Sequence, residues 1–269
     1  MPRPWIFCLL AAAAIALAGL AATGLHRMTR QPPPIEPLPR VAHAGGGIDG
    51  ATYTNSREAV LASLDKGFAW IEIDFVWTSD GRLVCIHDWK RSFERLFGRP
   101  TESPLSLAEF REEAAKLPLT LLSLDDLKAL MLERPALTVV TDVKSNNIAA
   151  LERMAKVLPE AARRVVPQIY RPNEYKAARK AGYERIVWTL YRYRHQRDIH
   201  RVLEEAQAMD LAAVCMPAAR AREGHALALR ERGIPTYAHT ANRPEEAEEL
   251  KTRWGVTEVY TDFLPPADG

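Results

Sequence analysis

Trp70-Ile71-Glu72-Ile73-Asp74-Phe75 is a strand-forming apolar run broken by two acids. Residues i and i+2 of a strand point to one face. The spacing therefore predicts Glu72 and Asp74 side by side, with Ile71, Ile73 and Phe75 turned the other way, towards covering helices. Two carboxylates on one sheet face repel each other unless protons or a cation neutralise them. A divalent ion with oxygen ligands meets that need. A solvated edge strand of alternating polarity is the plainer reading of this segment alone.

Working outward, Ser79-Asp80-Gly81 reads as a turn into Arg82-Leu83-Val84-Cys85-Ile86-His87-Asp88. Leu83, Cys85 and His87 would share a face, which predicts His87 pointing inward at a strand end. Upstream, Val41-Ala42-His43-Ala44-Gly45-Gly46-Gly47 puts a second histidine at the end of an early strand. The three glycines permit close approach to a ligand or an unusual turn. Downstream, a run over 137–143 leads into Asp142-Val143-Lys144, again with i and i+2 on one face. Asp142 is a candidate third metal carboxylate, and Lys144 a cation beside an anionic group. One histidine alone would read as structural. Two histidines, three acids and a lysine at strand ends read as a site.

The rest of the chain supplies the frame. Strands are expected at 41–44, 70–76, 83–87, 137–142, 165–170, 185–190, 212–216, 235–238 and 258–261. Amphipathic helical segments are expected at 55–66, 105–116, 123–132, 147–158, 172–181, 199–209, 222–232 and 244–254, and Ser123-Leu-Asp-Asp126 resembles a capping box. Strand and helix in alternation predict a parallel sheet with helical crossovers. About 230 residues, eight or nine strands, and acids and histidines at strand ends predict a (β/α)8 TIM barrel. A doubly wound open sheet is the structural alternative.

Of 269 residues, 36 are Lys or Arg and 34 Asp or Glu, for a net charge of +2. Residues 1–37 hold Arg3, Arg27, Arg30 and Glu36, so removing three bases and one acid leaves 33 of each in the body. That balance disfavours nucleic acid as a partner. Pro4 to Leu25 carries no charge and as a helix would be roughly 33 Å long, enough to cross a hydrocarbon core. Residues 1–30 therefore read as a membrane anchor or a signal peptide. Gln31-Pro32-Pro33-Pro34-Ile35-Glu36-Pro37-Leu38-Pro39 reads as a stiff linker and 40–269 as the barrel domain. The domain is expected outside the cytoplasm, tethered to the membrane, or secreted or periplasmic where the leader is cleaved. Cys85 and Cys215 read as small buried hydrophobes. Nothing in the sequence indicates an oligomeric state.

His43-Ala44-Gly45-Gly46, Tyr53-Thr54-Asn55-Ser56, Glu72-Ile73-Asp74, Thr78-Ser79-Asp80-Gly81 and His87-Asp88 follow one another in that order. Together they resemble the glycerophosphodiester phosphodiesterase family, a branch of the phosphatidylinositol phospholipase C-like barrels. That family's pattern runs His-Arg-Gly, Glu-Asn-Thr, Glu-x-Asp, Thr-x-Asp-Gly and His-Asp. Looser similarity continues through Leu119–Leu127, Asp142-Val143-Lys144, Gln168, Thr240-Ala241-Asn242 and Thr261-Asp262-Phe263, and spans about residues 40–265. The resemblance implies His43 and His87 as an acid–base pair. It implies Glu72, Asp74 and Asp142 as ligands of Ca²⁺ or Mg²⁺, and Lys144 as a phosphate or carboxylate neighbour. Asn55 and Trp89 join the expected substrate contacts, with Trp89 equally readable as a cap on the barrel mouth. The implied substrate is a small phosphodiester or lipid head group.

Three residues depart from the pattern. Ala44 stands for an arginine, Thr54 for a glutamate, and Asp142 shortens a glutamate by one methylene. The sequence thus looks like a His-Ala-Gly-Gly variant of the family. Hydrolysis of a phosphodiester is the leading expectation. Cleavage to a cyclic phosphate and a non-catalytic, membrane-tethered binder of an anionic ligand are the alternatives. Arg192, Arg194, His195 and Arg197, with Tyr191 and Tyr193, read as a solvated loop, or as a contact for an anionic substrate or lipid surface. His239 is expected near the barrel mouth without a catalytic assignment, and His195, His200 and His225 without chemical duty.

Overall fold

A computed structural model describes residues 34–158 and 162–267. Its strands are β1 (Val41–Ala42), β2 (Trp70–Trp77), β3 (Leu83–Val84), β4 (Thr138–Val143) and β5 (Val165–Ile169). They continue with β6 (Val187–Thr189), β7 (Ala213–Pro217), β8 (Thr236–His239) and β9 (Glu258–Thr261). All but β3 are parallel neighbours, in the order β1-β2-β4-β5-β6-β7-β8-β9. β1 pairs with both β2 and β9, so the sheet closes into an eight-stranded barrel. The open-sheet alternative is thereby excluded, because it would leave two unpaired edges.

Strand alternation sorts the side chains into two layers. Ile71, Ile73 and Phe75 of β2 pack in the shell between barrel and helices, with Val139, Trp188, Val214 and Val259 from other strands. Their neighbours Trp70, Val140, Val166, Val187, Ala213 and Tyr237 point inward and fill the lower barrel with an apolar plug. One step further along the same strands the inward positions turn polar: Glu72, Asp142, Gln168, Thr189 and His239. The chemistry therefore sits at the C-terminal ends of the strands, on a dry base.

Helices form at Arg57–Asp65, Leu107–Ala114, Leu124–Glu133, Asn147–Val157, Tyr175–Lys180, Ile199–Gln207, His225–Arg230 and Pro244–Thr252, close to the expected segments. The capping box is present: Asp126 N–H donates to Ser123 Oγ, and Asp126 Oδ2 accepts from Ser123 N–H at 2.9 Å. Arg91–Phe97 and Ala218–Arg222 are helices that the periodicity did not announce. The segment between β2 and β4 has its own small core, built on Val76, Val84, Ile86, Phe93 and Phe110.

Two strand readings need correction. The expected strand over 83–87 pairs with the end of β2 only through Leu83 and Val84, antiparallel, and touches Leu122 and Ser123 through Cys85 and Val84. Beyond it Asp88 Oδ1 accepts from the backbone N–H groups of Lys90 and Ser92. A carboxylate that captures the backbone just ahead of it starts a turn and does not prolong a ladder. His87 consequently sits on a loop and not at the end of a barrel strand. The first strand likewise stops at Ala42. His43–Gly45 form a tight turn, with Ala44 at φ 49° and Gly45 and Gly46 near φ 90°.

Leu38 packs beneath the plug, and the Tyr237 hydroxyl donates to Pro39 O at 2.8 Å. The expected anchor or signal segment, 1–30, lies outside the described residues, as does the start of the linker. Among the described residues no helix is long and apolar enough to cross a membrane. Cys85 and Cys215 are buried and free.

Candidate active site

Glu72, Asp74 and Asp142 converge as the strand pattern predicts. One carboxylate oxygen from each lies within 4.8 Å of the others, and all three residues are buried. β2 and β4 bring Asp74 and Asp142 to the same rung of the sheet. Lys144, just past β4, sets its ammonium 2.7 Å from Asp74 Oδ1 and 2.6 Å from Asp142 Oδ2. Burial works against charge on Lys144, but Asp74 and Asp142 outweigh it and hold the lysine cationic. Burial also opposes the Asp142 carboxylate. Lys144 and the hydroxyls of Tyr170 and Tyr191 reverse that effect, and its acidity is strengthened.

Glu72 has no ion-pair partner as close as Lys144 is to the two aspartates. Its Oε2 accepts from Ala44 N–H at 2.7 Å, but its buried Oε1 has no hydrogen-bond partner. Burial and the neighbouring Asp74 push its pKa upward. An unpaired buried carboxylate oxygen costs several kcal/mol unless something neutralises it. A divalent cation on Glu72, Asp74 and Asp142 would do so, and a set of hard oxygen donors suits Mg²⁺ or Ca²⁺. The residues present fit such an ion.

His43 joins this cluster from the turn after β1. Its Nδ1 lies 2.9 Å from Asp262 Oδ1, and its Nε2 lies 4.0 Å from Glu72 Oε2. Burial disfavours its charge, but the Asp262 hydrogen bond and the charges of Glu72, Asp262 and Asp74 prevail and raise its pKa to about 9. Asp262 is itself held by Asn242, whose amide donates to Oδ2 at 2.7 Å and accepts from Asp262 N–H at 2.7 Å. His87 reaches the site from its loop, paired through Nδ1 with Asp88 Oδ2 at 2.8 Å. Between the two histidines stands Tyr53. Its ring meets His43 edge-on at 4.6 Å between centroids and His87 at 5.3 Å.

The expected substrate contacts divide. Lys144 is in the cluster, 20% exposed at its side chain. Asn55 is buried, and both ends of its amide are used on Asp74: Nδ2 donates to Oδ2 at 3.0 Å, and Oδ1 accepts from Asp74 N–H at 2.9 Å. It fixes a carboxylate from behind. Trp89 packs against Phe93 and Phe110 and donates to Trp77 O at 2.8 Å.

Five further residues belong to the site without an assigned role from the sequence, which places only His239 near the barrel mouth and Tyr191 beside a possible anionic contact. Asp262 had the same signal as the others, an acid directly after a strand. Tyr170 and Tyr191 also follow strands, but a tyrosine there reads equally well as packing. Tyr53 lies in a loop with no periodic pattern. His239 shares a small cavity with His43, Glu72 and Asp142. Burial and the nearby His43 lower its pKa to about 4, so it is neutral, and its Nε2 has no partner.

A parallel barrel with a carboxylate cluster and two aspartate-paired histidines at its C-terminal mouth is an enzyme's architecture. The family model for the glycerophosphoryl diester phosphodiesterase family matches residues 43–265, so the chain belongs to that family and is a phosphoric diester hydrolase. No curated protein matches the sequence. Among solved structures, a glycerophosphodiester phosphodiesterase of Thermotoga maritima is similar with a TM-score of 0.61 at 19% identity, over 82% of this chain and 93% of that one. One from Parabacteroides distasonis gives 0.62 at 18%, over 86% and 95%. An Oleispira antarctica phosphodiesterase in complex with the product sn-glycerol-3-phosphate gives 0.62 at 16%, over 85% and 94%. At these identities the likeness concerns the fold.

Proposed function

We propose that the protein hydrolyses a glycerophosphodiester or a related lipid-derived diester, with Glu72, Asp74 and Asp142 holding a Ca²⁺ or Mg²⁺ ion and His43 and His87 as the acid–base pair. His43 carries the proposal: one ring nitrogen is bonded to Asp262 while the other faces Glu72 of the acidic cluster at 4.0 Å. The product named for the Oleispira antarctica neighbour supports glycerol phosphate as the group retained.

The bound ion would supply a Lewis acid for a non-bridging phosphate oxygen. Lys144, kept charged by Asp74 and Asp142, offsets negative charge beside it. Asp262 and Asp88 each bind the Nδ1 of a histidine, which fixes the tautomer and leaves Nε2 for the reaction. One Nε2 accepts the proton of the attacking water, and the other gives a proton to the departing alkoxide. Tyr53 keeps the two rings apart and in fixed orientation. Ala44 brings no cation, so its contribution is the backbone N–H that orients Glu72.

The test is release of alcohol from glycerophosphodiesters, lysophospholipids and a generic aryl diester by the full-length protein, with Mg²⁺ or Ca²⁺ and with chelator. Turnover that chelator abolishes and His43→Ala or His87→Ala reduces strongly is expected. No turnover of any of these with either ion would refute the reading. The uncharged run from Pro4 to Leu25 supports placement at a membrane with the barrel outside the cytoplasm, which protease protection in intact cells and membrane vesicles would test.

A further inference from the structure

A second cavity lies away from the acidic cluster. It is a groove of about 810 Å³ bordered by the Tyr175–Lys180 and Ile199–Gln207 helices and the loops that precede them. Arg171, Lys176, Arg192, Arg194 and Arg201 line it, with Glu205 as its one acid. In a body with equal numbers of bases and acids, this is a local excess of positive charge. Among the described residues, Lys176, Arg192, Arg194 and Arg201 form no salt bridge with a carboxylate, whereas Arg57, Arg82 and Arg222 do. The groove wall also includes His195, whose Nε2 is buried and without a partner. A volume of this size is that of a small-molecule site, and guanidinium groups match phosphate oxygens in geometry.

The groove adjoins the active-site residues through two consecutive positions, Tyr191 and Arg192. The Tyr191 hydroxyl turns inward and donates to Asp142. The Arg192 side chain turns outward, donates to Lys144 O at 2.7 Å, and lies 4.9 Å over the ring of Tyr170, itself bonded to Asp142. Arg192 therefore borders the groove on one side and the residues that hold Asp142 and Lys144 on the other.

We infer that this groove is a second anion-binding site, which takes a phosphate carried on the alcohol portion of an extended diester whose scissile phosphate sits at the acidic cluster. This rests on the proposed diesterase reading. It makes the protein selective for diesters whose alcohol bears a further phosphate.

The test compares glycerophosphoinositol with its ring-phosphorylated form, using full-length protein and a Lys176→Glu/Arg194→Glu double variant. For wild type the phosphorylated diester should have the higher kcat/KM. In the variant that preference should collapse by about tenfold or more, through KM. Equal loss on both diesters, or no loss on either, overturns the inference. Calorimetry of the phosphorylated diester in chelator reads binding without turnover, so an inactive enzyme would not hide the groove. A dissociation constant that the double variant does not weaken overturns the inference, even if the diesterase reading stands. Sedimentation with phosphatidylglycerol vesicles supplies the third arm. Vesicle binding lost in the variant, with substrate preference intact, would make the groove a membrane-docking face and overturn the substrate-site assignment.

Discussion

His43 Nδ1 and Asp262 Oδ1 lie 2.9 Å apart, although 219 positions separate them in the chain. The pairing closes the barrel's first strand end onto its last, and it orients the histidine against Glu72.

Asp262→Asn should leave the fold intact and reduce kcat by about 10²-fold or more, the usual scale for disturbing acid–base catalysis. The imidazole would lose the partner that favours its charged form. In metal-free protein its NMR titration should therefore fall from about 9. Retention of both kcat and the titration midpoint would show that Asp262 has no role in positioning.

The same raised pKa has a consequence for stability. Because His43 binds its proton more tightly in the folded protein, its contribution is complete below about pH 6.5 and fades as pH rises through about 9. In chelator, the stability difference between wild type and His43→Gln should shrink over that window when followed by denaturant unfolding. A difference that grows with pH would contradict the assignment.

Glu72→Gln should separate stability from function. Without metal it removes a buried carboxyl whose ionisation burial and Asp74 oppose, so at pH 8 in chelator the variant should unfold at a higher temperature than wild type. Wild type should regain about 2.7 kcal/mol when Mg²⁺ or Ca²⁺ reaches 100 times its dissociation constant, and the variant far less. Activity of the variant should fall by at least about 10²-fold. Equal stabilisation of both proteins by the ion would place the cation elsewhere.

Lys144→Met leaves Asp74 and Asp142 facing each other without their ammonium. Breaking a buried ion pair from one side costs about 3–5 kcal/mol. Chemical denaturation in chelator should show a loss of that order, and a divalent cation should restore part of it by neutralising the same carboxylates. A loss below about 1 kcal/mol would mean that the pair is solvated.

Much of this protein could be read from local pattern. The period-two alternation of 70–75 set Glu72 and Asp74 on one face, and the rhythm of strands and helices specified a barrel, because both follow from backbone geometry that neighbouring residues share. The acids at strand ends were legible for the same reason. His87 was found as a residue but misplaced as an element. Its strand stops at Val84, and the turn that Asp88 fixes beyond it by side-chain capture leaves no mark in hydropathy.

The partnerships across the barrel were decided by the tertiary structure alone. Asp262 meets His43, Tyr191 meets Asp142, and Asn55 is used on Asp74 because closure of the sheet brings together strand ends and loops far apart in sequence. Periodicity tells which way a side chain points along its own strand. It carries no information on which strand lies opposite, and the charge state of each buried group depends on that neighbour.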